Sequence, residues 1–201
     1  MTYAPFKNRA RYKSYQEYLE DETLSGEGNY RLLSTGELIE VASEDGFNLT
    51  IAARLLALIF QIQAGAFIDG ACMGNKEIQV SPVGDERVNR KPDVMVIHPD
   101  NLELARQAIK FGMVPPLFVA EVVSPGNESS DNYLRDYVWK REQYQWWQIP
   151  EYWIIDPHRE KITVLVLAEE SYKEAIYTED DVIRSMIFPE LTVAMKDLLK
   201  R

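Results

Sequence analysis

Leu117-Phe118-Val119-Ala120-Glu121-Val122-Val123 sets one carboxylate inside an otherwise apolar run, and its reading decides the fold. Pro115-Pro116 forces the chain out of any preceding helix, and Ser124-Pro125-Gly126-Asn127 has turn composition. The seven residues between them therefore read as one buried strand. Side chains alternate along a strand, which puts Glu121 on the face of Leu117, Val119 and Val123. Upstream, Pro92 opens Asp93-Val94-Met95-Val96-Ile97, a second β-rich run bounded by His98-Pro99-Asp100, with Asp93 on the face of Met95 and Ile97. A carboxylate buried without a partner is costly, so each of these acids requires one. Arginine or lysine supplies it in an ordinary buried ion pair. Two acids at corresponding ends of neighbouring strands can instead share a divalent cation.

Downstream, Asp131 to Trp147 reads as a helix stopped by Gln148-Ile149-Pro150. On a 3.6-residue wheel Tyr133, Tyr137, Tyr144 and Trp147 form one stripe with Lys140 at its centre. Lys140 either snorkels outward or presents a cation to the carboxylates, and Asp136, four residues before it, is placed to hold its ammonium. Tyr152 to Asp156 and Ile162 to Val166 follow as strands. Before the Asp93 strand, Phe67 to Val83 is irregular but strand-like, and after it Asp100 with Glu103 caps a short helix through Phe111. Asn48 caps a core helix with apolar positions Ile51, Leu55, Leu58 and Ile62, and Gly65 suits its end. Tyr30 to Leu33 and Glu37 to Val41 flank the turn-like Ser34-Thr35-Gly36 as a hairpin. Ser14 and Glu17 have capping-box spacing for a short helix over Tyr15 to Asp21. The core order is helix, three strands, helix, two strands.

The chain has 201 residues, 46% hydrophobic and 11% aromatic, enough to bury a sizeable core in one domain. Without internal repeats or low-complexity linkers, residues 1–201 read as one domain, with 1–29 a peripheral N-terminal arm and helix. The longest apolar stretch, Leu49 to Ile62, is interrupted by Thr50, Arg54 and Gln61 and falls short of the roughly 18 residues that a membrane span requires. The basic N-terminus has no apolar segment after it, so a cytoplasmic protein with no membrane partner is expected. Cys72 is the only cysteine, which excludes an internal disulfide and a cysteine-cluster zinc site. Net charge is −10, which speaks against non-specific coating of nucleic acid. Basic residues nevertheless cluster at Lys7, Arg9, Arg11 and Lys13, at Arg87, Arg90 and Lys91, and around Lys140 with Arg135 and Arg141. Acid excess from Glu17 to Glu27 and Glu169 to Asp181 reads as solvated faces or loops. His98 and His158 read as turn residues, and Trp146, Trp147, Tyr152 and Trp153 as core.

The series Arg90-Lys91-Pro92-Asp93-Val94-Met95-Val96, Val119-Ala120-Glu121-Val122-Val123-Ser124-Pro125, Asp136 with Lys140 and Tyr144, and Pro150-Glu151-Tyr152-Trp153-Ile154-Ile155-Asp156-Pro157 resembles the Uma family of endonucleases, roughly from Tyr30 to Val166. The resemblance implies an α/β, restriction-endonuclease-like core of the PD-(D/E)xK type, a central mixed β-sheet flanked by helices. It implies that Asp93 and Glu121 bind Mg²⁺ or Mn²⁺ for hydrolysis of nucleic-acid phosphodiesters, with DNA the expected partner and a homodimer the candidate assembly. The lysine expected two positions after the glutamate is replaced by Val123, so Lys140 takes its catalytic place. Glu40, or else Glu37, stands for the further acidic metal ligand near the first core helix. Asn48 replaces the family's frequent histidine, and Gln148 its glycine before Pro-Glu-Tyr-Trp. Two other classes stay open: a catalytically inactive nuclease-fold binding or regulatory module, and a structural subunit using the Tyr- and Trp-rich surface.

Overall fold

The computed structural model describes residues 11–24, 29–41, 45–62, 69–105 and 107–201. Helix α1 (Tyr15–Leu19) leads into a hairpin of β1 (Tyr30–Leu32) and β2 (Leu38–Glu40), followed by α2 (Gly46–Gln61). Short strands β3 (Ala71–Cys72), β4 (Glu77–Gln79), β5 (Asn89–Arg90), β6 (Val94–Val96) and β7 (Ala108–Ile109) precede the site strand β8 (Phe118–Val122). Next come α3 (Asp131–Leu134), a π-helical segment (Arg135–Trp139) and α4 (Lys140–Trp146). Strands β9 (Glu151–Asp156), β10 (Lys161–Ala168), β11 (Ser171–Thr178), β12 (Val182–Arg184) and β13 (Thr192–Ala194) and helix α5 (Met195–Leu198) complete it.

The main sheet has the order β11-β10-β9-β8-β6-β3. Only the β8–β9 pair in it is parallel among the described residues, so the sheet is mixed. All five residues of β8 and all six of β9 are buried, because helices cover both faces. On one side Ile51, Leu55 and Ile59 of α2 pack with Val94, Val96, Phe118, Ala120, Val122, Trp153 and Ile155. On the other, Tyr144 and Trp147 pack with Met95, Val119, Val123, Tyr152 and Ile154. An α/β sandwich of this kind is the expected fold class. Leu117 lies just outside β8 and packs on the α2 side, not with Val119.

Several local expectations shift. Asp45 caps α2, its Oδ1 accepting from the Phe47 amide at 2.8 Å, and Asn48 sits inside the first turn, where its side chain donates to the Val122 carbonyl at 3.4 Å. Helix formation one residue past Asp45 takes Asn48 out of the cap, while Gly65 lies outside the described residues. The helix expected from Asp100 to Phe111 is only a 3₁₀ turn, Pro99–Asn101, whose amide at Asp100 donates to His98 Nδ1. The chain leaves that turn because β7 pairs in parallel with β4. The acidic stretch from Glu169 to Asp181 is solvated as expected: Glu169, Glu170, Glu179 and Asp180 lie in turns on either side of β11, a largely exposed edge strand of the sheet. Trp146 is 61% exposed, not core, and stands edge-on to Phe111.

Gln148 follows α4 at φ 58°, the left-handed region in which a side chain is costly and glycine is at home. This is where the family resemblance led us to expect glycine. Its side-chain amide donates to the Gln145 carbonyl and offsets part of the cost. Gln148→Gly should stabilise the fold by about 0.5–1 kcal/mol, the left-handed preference of glycine outweighing its unfolded-state entropy. Urea denaturation should show a higher midpoint at unchanged slope.

Candidate active site

In the antiparallel β6–β8 pair Val94 faces Ala120 and Met95 faces Val119, so the register, extended by one residue, sets Asp93 across from Glu121. The Val122 amide donates to Asp93 Oδ2 at 2.6 Å, which draws the half-buried Asp93 side chain onto β8. Glu121 is 2% exposed and sits on the face that meets α4. Alternation along two adjacent strands thus delivers two carboxylates to one place, as the sequence pattern implied.

The partner of Glu121 is Lys140. The ammonium Nζ lies 2.8 Å from Glu121 Oε2 and 2.7 Å from Asp136 Oδ1, with 11% of the side chain exposed. Snorkelling is thereby excluded in this conformation. Tyr144, one turn on, donates its hydroxyl to Glu121 Oε1 at 2.6 Å, and burial, reinforced by the Glu121 charge, pushes its phenol far above the usual range. Asp136 also receives Arg135, whose Nε and Nη2 donate to its two oxygens at 3.0 and 2.9 Å. Burial is the largest influence on the Asp136 carboxyl and pushes its pKa upward, but Lys140 and Arg135 together outweigh it and hold the pKa below its ordinary value.

The β1–β2 hairpin carries the other acidic candidates, and Glu37 lines one pocket with Arg135. Glu40 is exposed at the end of β2, opposite Tyr30 in the hairpin. Glu37 pairs with Arg11 at 2.8 Å and accepts from Thr35, contacts that hold its carboxyl below its usual pKa. The basic clusters are largely matched by acids: Arg87 and Arg90 share Asp85, and Arg141 meets Glu174. Arg90, 2% exposed, also donates from Nε to Gln143 of α4 at 2.7 Å, so it anchors the site helix. Lys7 and Arg9 lie outside the described residues. Burial lifts the Cys72 thiol to about 11, leaving it a poor nucleophile.

Sequence reasoning treated Tyr152 only as core. Its hydroxyl, on β9, donates to the Asp136 carbonyl at 3.0 Å, and its ring stands edge-on to Tyr144 at 5.0 Å. The period-2 pattern could have placed Tyr152 beside Val119, but nothing local signals a bond to a helix carbonyl. Arg135 was legible as a charge, and its bidentate grip on the adjacent Asp136 was not.

The donor chemistry suits a hard divalent cation. Asp93 and Glu121 stand opposite each other on β6 and β8, and Mg²⁺ is commonly held by one or two carboxylates with water and substrate phosphate completing its shell. Among the described residues no group of three or more His, Cys, Asp or Glu side chains is gathered as for a metal held by protein alone.

This fold is of the restriction-endonuclease-like class. The family model described as "Putative restriction endonuclease" (Uma2) matches residues 15–196, and the chain belongs to that family. Restriction-endonuclease-like proteins generally use divalent metal ions. Among solved structures, one titled as a putative nuclease belonging to DUF820 from Anabaena variabilis ATCC 29413 superposes with a TM-score of 0.64 at 18% identity. The match covers 92% of this chain and 96% of that one, a likeness of fold. No curated protein matches the chain. No helix among the described residues is long and apolar enough to cross a membrane.

The depressed pKa of Asp136 makes a signed prediction. With the folded-state pKa below the unfolded one, the group's contribution is complete above the unfolded value of about 4 and is lost as pH falls through the folded value. Asp136→Asn should therefore lose less further stability than wild type between pH 4.5 and 2.5. Urea unfolding across that window checks it, and parallel acid limbs would contradict it.

Proposed function

We propose that this chain is a metal-dependent endonuclease that hydrolyses phosphodiester bonds of nucleic acid, with DNA as substrate. The observation that carries the reading is the pairing of Lys140 with Glu121 at 2.8 Å, with Asp93 opposite Glu121 in the register of β6 and β8. Asp93 and Glu121 would hold Mg²⁺ or Mn²⁺. When bound, such an ion polarises the phosphate and lowers the pKa of a coordinated water. Lys140 is fixed by Asp136 and so presents a preorganised positive charge to the negative charge that grows on the phosphorus oxygens. Tyr144 keeps Glu121 oriented, and the Val122 amide does the same for Asp93.

A second reading, an inactive nuclease-fold binding module, is favoured by the occupancy of both Glu121 oxygens, one by Lys140 and one by Tyr144. Metal binding and cleavage separate the two. Titration calorimetry should show Mg²⁺ or Mn²⁺ binding to wild type, weakened in Glu121→Gln, and wild type should cleave plasmid DNA under single-turnover conditions. Lys140→Met should lower the cleavage rate by about 100-fold while leaving metal affinity similar or higher. Asp93→Asn is the inactive control. Absence of metal binding at millimolar concentration, or equal rates for wild type and Lys140→Met, would remove these roles.

A further inference from the structure

The helix carrying Lys140 is not a plain α-helix. From Arg135 to Trp139 it winds as a π segment, and the Lys140 amide donates to the Arg135 carbonyl, five residues back. In an α-helix that amide would bind the Asp136 carbonyl, four residues back. The wide turn releases this carbonyl, and in a buried site a released carbonyl requires another donor. Tyr152 supplies it from β9, with its hydroxyl 3.0 Å away and its side chain fully buried. Around the wide turn Asp136 is 1% exposed, with Lys140 turned inward beside it, while Val138 between them is 44% exposed. Such one-turn π segments arise as local insertions in α-helices and occur often at functional sites.

We propose that Tyr152 is a positioning residue: its hydroxyl holds the wide turn open, and the wide turn sets the Lys140 ammonium between Asp136 and Glu121. Tyr152 reaches the site from a second direction as well, since its ring abuts Tyr144, whose hydroxyl fixes the other Glu121 oxygen. One β9 side chain thus braces both helix groups that grip Glu121. Without the hydroxyl, the Asp136 carbonyl recovers a donor only if the turn tightens and takes back the Lys140 amide. Lys140 then leaves its place. The effect on cleavage rests on the nuclease reading above; the effect on Lys140 does not.

The test is Tyr152→Phe, which removes one oxygen and keeps the ring. In ¹⁵N-lysine-labelled protein the Lys140 ammonium, assigned through Lys140→Met, should give a protected signal in wild type and exchange as fast as surface lysines in Tyr152→Phe. Single-turnover cleavage of plasmid DNA with Mg²⁺ should slow by about 100-fold, the order expected for a displaced catalytic group, with KM within a few-fold. A merely structural tyrosine would lower the melting temperature and leave the Lys140 signal protected. That result, or a folded Tyr152→Phe with a wild-type rate constant, overturns the proposal. If wild type does not cleave, the nuclease reading fails, and the Lys140 signal alone decides the role of Tyr152. If Tyr152→Phe does not fold, Tyr152→4-fluorophenylalanine fills the space of the hydroxyl with an atom that cannot donate. That variant should release Lys140 in the same way, and a protected Lys140 in it would overturn the proposal.

Discussion

A single ammonium held between two buried carboxylates is the constraint on which the rest of this structure depends. Lys140 touches Glu121 on the central sheet and Asp136 on its own helix, so the charge that neutralises the sheet also docks the helix. Removing one member of such a group leaves an uncompensated buried charge, which costs about 3–5 kcal/mol. The surrounding side chains divide the same task. Arg135 offsets the second negative charge, that of Asp136, and Tyr144 and the Val122 amide hydrogen-bond to Glu121 and Asp93.

Polar groups can be placed in this way because the central strands β8 and β9 are buried on both faces. Helix α2 and the C-terminal segment cover one side, and α4 covers the other, so the apolar packing stabilises the fold without help from the acids. Another buried acid shows the same economy with no cation: Glu151 accepts from the Trp153 indole, the Ser185 hydroxyl and the Met186 and Ile187 amides, joining β9 to the turn after β12. Its place next to Tyr152 explains why Glu-Tyr-Trp falls at the centre of the fold. Successive side chains serve opposite faces of one strand, with Tyr152 toward Asp136 and Trp153 toward α2.

The overall acidity accords with this arrangement. Arg87, Arg90, Arg135 and Arg141 look like a basic surface in the sequence, yet each meets an acid in the fold. Linear clustering of like charge therefore overstated local positive potential: Asp85 and Asp136 lie within a few residues of the arginines they meet, and Glu174 reaches Arg141 from β11. A recognition surface for nucleic acid has to be sought at the site, where Lys140 is set by its partners, and not in net charge.

Alternation within Asp93–Ile97 and Leu117–Val123 determined by itself that each carboxylate would lie on the apolar face of its own strand, since a period of two is local geometry; the pairing of β6 with β8 set them opposite each other. The spacing of Asp136, Lys140 and Tyr144 likewise determined one polar edge on a helix. The same local logic failed for the helix expected after Asp100, where pairing of β7 with β4 overrode helical propensity. It also misplaced the cap of α2, which is Asp45 and not Asn48. Only the tertiary structure decided that Lys140 meets Glu121, that Arg90 holds α4, and that Tyr152 takes the carbonyl freed by the π turn. Those contacts join residues many positions apart, and which of them form depends on how the helix lies on the sheet, a choice made by packing of the whole core and encoded in no short stretch of chain.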